Sequence, residues 1–196
     1  AAQYSIPIVT LTLDASVVSH GAHVLRFAPD PVTETKILAE HLYSLVQMGA
    51  TGEPLKILVL QPAQPYSDAM TKALTQSLQA AGTGFVTEVI TYENDAVDLR
   101  DLAKDVEKRT FDAVFIPDVP ERASLVASFL AQQNIWARAP GQTSNTSTAK
   151  GDARRFVWLL GTSLWYQEDF TALRYLEHAL FPVAYAPGAG GEAGEA

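Results

Sequence analysis

The stretch Lys56–Asp68, KILVLQPAQPYSD, constrains the fold more than any other part of the chain. An unbroken apolar run, Ile57–Leu60, ends in a proline-containing loop, and a helical pattern opens near Ser67. A continuous run, in place of an alternating one, suits a strand covered on both faces within a parallel sheet. In such a sheet, ligands bind in the loops that follow the carboxyl ends of the strands. The same unit returns at Phe111–Asp118 and again at Phe156–Trp165.

The segments between these units alternate in type. Ser5–Leu13, SIPIVTLTL, reads as a strand, with Pro7 near its start where a missing donor is tolerated. Asp14–His23 is a polar connection, and His23–Phe27 a short strand. Asp30-Pro31 is a helix-start signal, followed by Leu38, Leu42 and Leu45 at helical spacing and a stop across Gly49–Pro54. After Leu60, a helix carries Met70, Leu74 and Leu78 and stops at Gly82. Phe85–Tyr92 alternates and is β-branched, which places it near a sheet edge.

Asp98 opens a helix with Leu99, Leu102, Ala103 and Val106 on one face, and Asp112–Pro117 is another buried strand. Asp118 and Glu121 form a capping-box-like pair before the Ala123, Val126, Phe129 and Leu130 face. Arg138–Asp152 is largely the polar run GQTSNTSTAKGD, a surface excursion. Phe156–Gly161 is a strand, Leu173, Leu176 and Leu180 suggest a further helix, and Phe181–Tyr185 a last short strand. The tail from Gly188, GAGGEAGEA, has almost nothing to bury and is expected to be disordered. This alternation predicts an α/β fold: a doubly wound, mainly parallel five-stranded sheet flanked by helices. We expect a flavodoxin-like order, with strand 56–60 central and strand 85–92 at one side. Ligand-facing groups then fall in the loops 61–68, 92–98, 117–121 and 161–166.

Charge and cysteine content remove several function classes. A net charge of −8 and a pI of about 4.9 argue against a nucleic-acid partner, whose affinity rests on Lys and Arg neutralising phosphates. With no cysteine, disulfide, zinc-thiolate and Cys-nucleophile chemistry are excluded. No apolar run approaches the roughly 18 residues of a membrane span. Ala1–Tyr4 lacks a basic n-region, so the chain is expected to be an excised piece of a longer precursor.

Catalytic signatures are weak. Gly161-Thr162-Ser163-Leu164-Trp165 evokes a nucleophile elbow, but the second glycine is absent and Trp165 would crowd the turn. No strand is followed by a glycine-rich phosphate loop. His20, His23, His41 and His178 show no metal spacing, and no cofactor is implied. Asp118 and Glu121 could act as acid and base, but helix capping explains both. Tyr66 and Trp165 are stacking surfaces for a ligand or packing residues at the loop edges. The chain is expected not to be an enzyme.

The succession IPIVTLT, HVLRFAPDP, ILVLQPAQPYSD, FDAVFIPD and LLGTSLW resembles the type 1 periplasmic binding proteins of the branched-chain amino-acid group. LLGTSLW resembles most the penicillin-binding-protein activator lipoproteins, which carry this fold without transporting anything. The resemblance covers roughly residues 4–186 and implies mainly a second lobe, with the bulk of the first lobe outside the chain. It divides the chain into a first-lobe remnant at 1–22, a second-lobe domain at 23–187 and a tail at 188–196.

Carried over residue by residue, the resemblance makes Gln61, Tyr66, Ser67, Asp118, Glu121, Thr162, Ser163 and Trp165 cleft-lining candidates. Ser67 stands where the family's first turn has glycine. Two non-catalytic functions follow. The favoured one is a regulatory module of the activator kind, gripping a peptidoglycan synthase. The other is the ligand-binding lobe of an ABC-transporter solute-binding protein for amino acids or similar small polar solutes. The first predicts a cleft filled by its own side chains, and the second an open polar cleft. Either implies the periplasm or an outer-membrane anchor facing it. Self-association through strand 5–13 is a hazard of its exposed edge.

Overall fold

The computed structural model describes residues 6–10, 15–26, 30–49, 53–82, 84–142, 154–166 and 173–183. Its main body is a five-stranded sheet with helices on both faces. The strands are β3 (Leu55–Pro62), β4 (Phe85–Tyr92), β5 (Ala113–Phe115), β6 (Ile135–Ala137) and β7 (Arg155–Leu160), in spatial order β4-β3-β5-β7-β6. Every pairing is parallel. The doubly wound α/β architecture read from the sequence is therefore present.

The apolar run does what its composition dictates. Ile57, Leu58, Val59 and Leu60 are each no more than 1% exposed. Their side chains point alternately to opposite faces, as in any strand. Ile57 and Val59 join Leu38, Leu42, Met70, Leu74, Leu78 and Phe115 beneath α1 (Pro31–Gly49) and α2 (Pro65–Ala81). Leu58 and Leu60 join Val106, Val114, Val126 and Leu130 beneath α3 (Arg100–Glu107) and α4 (Pro120–Gln132). At about 25 cal/mol per Å² of apolar area, two such layers are the main source of stability.

Local signals set the helix ends. Thr33 N donates to Asp30 Oδ2 at 3.1 Å, so Asp30 caps α1, with Pro31 in its first turn. Gly82 ends α2 with φ +133° and donates its N–H to the Leu78 carbonyl. Arg100 N donates to Asp98 Oδ1 at 3.1 Å at the start of α3.

Several expectations are corrected. Strand 56–60 lies second from the edge, and β5 is central. The order departs from the flavodoxin-like one because β7 inserts between β5 and β6. β6 itself, three residues long, is not predicted by the sequence pattern. No helix spans Leu173–Leu180: a single 3₁₀ turn, Arg174–Leu176, ends before His178, whose φ of +66° breaks any continuation. Leu180 instead makes one bridge to Leu160, and Phe181–Val183 form no strand, since Pro182 has no N–H to donate. The connection after β1 contains a 3₁₀ helix, Ala15–His20. The Asp118/Glu121 capping box does not form, because α4 starts at Pro120 with Val119 as its N-cap residue. Most of the 138–152 excursion and the whole 188–196 tail lie outside the described residues.

β1 (Ile8–Thr10) and β2 (Val24–Arg26) form a separate parallel pair. Ile8, Val9 and Leu25 are all exposed there.

Candidate functional site

The carboxyl ends of β3, β4, β5 and β7 bring most of the candidate residues together. The hub is Asp118, 2% exposed, at the turn between β5 and α4. Its Oδ1 accepts from Val119 N at 2.8 Å and from Gln64 Nε2 at 3.4 Å. Its Oδ2 accepts from the Tyr92 hydroxyl at 3.1 Å and lies 3.9 Å from Arg122 Nε. Its main-chain carbonyl accepts from Trp165 Nε1 at 2.9 Å. One buried residue thus ties the ends of β4 and β5 to the loop after β7. Burial and the Asp118 charge push the Tyr92 hydroxyl well above the usual tyrosine range, so it stays a donor.

The remaining candidates are partly spoken for. Ser67 is fully buried, donates to the Pro117 carbonyl at 2.5 Å and accepts from Gln64 Nε2 at 3.0 Å. Its hydroxyl ties α2 to the β5 turn, which a glycine there could not do. Gln61 Nε2 donates to Asp68. Glu121 is exposed on the first turn of α4.

Ser163 N and Oγ both donate to the Glu34 carboxylate, each at 2.9 Å. Glu34 is buried at the start of α1, and burial raises its pKa against the lowering effect of Ser163. The hydroxyls of Tyr66 and Thr162 lie close together, and burial, its leading cause, raises the Tyr66 pKa well above its ordinary value. Neither hydroxyl makes a well-formed hydrogen bond to any described group. With Arg122 Nε and Nη2, they are buried polar atoms of this edge that lack a hydrogen-bond partner among the described residues.

Trp165 does not crowd the turn after β7; it fills it. Its ring is fully buried against Gly161, where a Cβ would come within 2.3 Å of Cδ2 and Cε3. This is the packing face of the residue, and it offers no ring to a ligand. A groove of about 320 Å³ runs elsewhere, on the flank between α1 and α2, beside Val32, Lys36, Ala73 and Ser77.

Glu34, Gln64, Tyr92 and Arg122 were missed by sequence reasoning. Glu34 looks like an ordinary acidic first-turn residue, and its partner lies 129 positions away. Chemically the edge is a hydrogen-bonding surface. Among the described residues no cluster of three or more His, Asp or Glu groups could hold a metal ion.

No protein-family profile matches the sequence, and no curated protein does. Solved structures do. The leucine-binding protein LivK of Thermotoga maritima matches at TM-score 0.69 and 15% identity, over 97% of this chain and 48% of that one. The fold is that of a type 1 periplasmic binding protein lobe. A solute-binding protein of an ABC transporter from R. palustris, in complex with 4-hydroxybenzoate, matches at TM-score 0.60 and 11% identity, over 88% and 41%. LivJ of Streptococcus pneumoniae, in complex with isoleucine, matches at 0.56 and 13%, over 88% and 42%. The chain spans about half the length of these solute-binding proteins. At these identities the likeness establishes the fold alone.

Proposed function

We propose that this chain is the second lobe of a non-catalytic solute-binding protein that closes on a small polar solute together with a first lobe. The observation that carries the reading is the pair of hydroxyls, Tyr66 and Thr162, left with hydrogen-bonding capacity at the carboxyl edge of a periplasmic-binding fold. Buried polar groups ordinarily find partners, and a ligand's polar atoms are such partners. The solute classes we favour are amino acids and aromatic carboxylates, the kinds of ligand named for the structural neighbours. The neighbours' role in transport supports the periplasm as the compartment. Pairing of β2 with β1, apart from the five-stranded sheet, supports a division between lobes nearer Asp30 than residue 23.

The regulatory reading, a lobe gripping a peptidoglycan synthase as in the penicillin-binding-protein activators, keeps one observation in its favour. Trp165 and Ser163 are engaged within the chain, as a cleft filled by its own side chains requires. The structural neighbours favour the solute-binding reading over it.

The deciding experiment uses the full-length gene product in thermal-shift screens against branched-chain amino acids and hydroxybenzoates, with synthase pull-down alongside. Saturation at a hundredfold excess over Kd stabilises by about 2.7 kcal/mol, a shift of several degrees. A shift abolished by Tyr66→Phe with Thr162→Val supports the proposal. No shift with any solute, combined with specific synthase capture, overturns it.

A further inference from the structure

Among the described residues, the outer edge of β4 is the longer of the sheet's two unpaired edges. Among the described residues β4 pairs only with β3, over an unbroken register from Phe85 to Tyr92. Gly84 and Tyr92 direct their carbonyls to β3, accepting from Leu55 N and Ala63 N. The residues between alternate, so Phe85, Thr87, Val89 and Thr91 aim their N–H and C=O groups outward. Of the usual edge-blunting devices, FVTEVITY holds no proline, glycine, lysine or bulge, and its one charge, Glu88, is paired with Arg109 of its own chain. The helical layers also cover this strand only in part. Val86 on one face is 50% exposed and Val89 on the other 46%, while the same faces of β3 are sealed. Parallel sheets are ordinarily covered on both sides.

We propose that this edge is a self-association surface, through which a second copy of the chain pairs antiparallel about a two-fold axis at Val89. Side-chain direction permits only registers in which cross-strand partners share a face. Centring on Glu88 would set two carboxylates directly opposite one another, which is destabilising. Centring one residue on, at Val89, removes that clash. Val89 then meets its own copy, Thr87 meets Thr91, and Glu88, already held by Arg109 of its own chain, meets Ile90. Thr87, Val89 and Thr91 together supply about six new main-chain hydrogen bonds, because each bonded pair in an antiparallel ladder exchanges two. Val86 and Val89 are covered in the same step. The contact is isologous and closes at two copies, giving a continuous ten-stranded sheet. With only three residues, β1 offers a far shorter edge than β4.

Sedimentation velocity of the chain over a roughly hundredfold concentration range is the primary test, since association obeys mass action. The expected result is a monomer–dimer equilibrium that Val89→Lys abolishes while leaving far-UV CD unchanged. The chain has no cysteine, so one introduced at a time reports unambiguously. Val89→Cys should cross-link with a short bis-maleimide far faster than Val97→Cys, a 78% exposed control. A monomer at every concentration overturns the proposal. So does a dimer that survives Val89→Lys, or one in which both cysteines react alike; these place the interface elsewhere.

Discussion

Gly161→Ala tests the packing logic of the candidate site most directly. Gly161 follows β7, and an added Cβ there meets Trp165 Cδ2 and Cε3 at 2.3 Å and Cε2 at 2.6 Å. The conflict is with the ring, not with backbone conformation, because Gly161 is not among the positive-φ residues. The indole cannot withdraw freely. It is fully buried, packs beside Phe181 with centroids 6.3 Å apart, and donates Nε1 to the Asp118 carbonyl. Overpacking a core costs about 1–3 kcal/mol, and losing the indole hydrogen bond adds about 1. We therefore expect a loss of about 2–4 kcal/mol. With a urea m-value of about 2 kcal/mol/M, the midpoint should fall by roughly 1–2 M, read by far-UV CD. In a Trp165→Leu background the space exists, so the same alanine should cost under about 1 kcal/mol, a coupling of about 2. A Gly161→Ala midpoint equal to wild type refutes the reasoning. An equal loss in both backgrounds refutes it too, since the cost would then lie outside the ring.

Tyr92→Phe removes one donor to the buried Asp118 carboxylate and should cost about 1–3 kcal/mol in the same urea assay, while Tyr66→Phe should cost less than half as much, because its hydroxyl makes no well-formed bond. Glu34 gives a pH signature. Its folded pKa is raised above 4.5, so the folded state binds the proton more tightly, and stability falls as pH rises from 4.5 through the folded pKa. Glu34→Gln should remove that decline, seen as the loss of one step in a plot of unfolding free energy against pH; an unchanged plot would show that Glu34 is not its source.

The fold was legible where one element advertised itself. Ile57–Leu60 announced a doubly covered strand, Asp30-Pro31 a capped helix, and Gly82 its neighbour's end, and each signal is local. β6 was not legible because Ile135-Trp136-Ala137 is too short to show any period. The insertion of β7 was not legible because strand order is decided by which edges meet, and no window of sequence contains both edges. For the site, the loops at the carboxyl ends were foreseen, but the roles within them were not. Ser163 reads as a cleft candidate until Glu34 is brought beside it, and Trp165 as a stacking surface or a packing residue until Gly161 makes room beneath it. Asp118 reads as a cap because its spacing to Glu121 fits one. Only the sheet shows that its carboxylate turns toward Tyr92 instead.

The placement of β7 between β5 and β6 has a consequence for the order in which the chain is made. β6 leaves the ribosome before β7, yet its sheet partner is β7, and the two register Ile135 with Arg155. Until residue 160 has emerged, the growing chain can complete only the β4-β3-β5 half of the sheet. Through that interval the apolar edge of β5, Ala113–Phe115, waits without its neighbour while Ile135 and Trp136 have nowhere to dock. Translation at about 5–20 residues per second makes this a delay of seconds, long enough for a chaperone to matter. A ribosome stalled just past β6 should present a chaperone-binding nascent chain, and one stalled past Val183 should not.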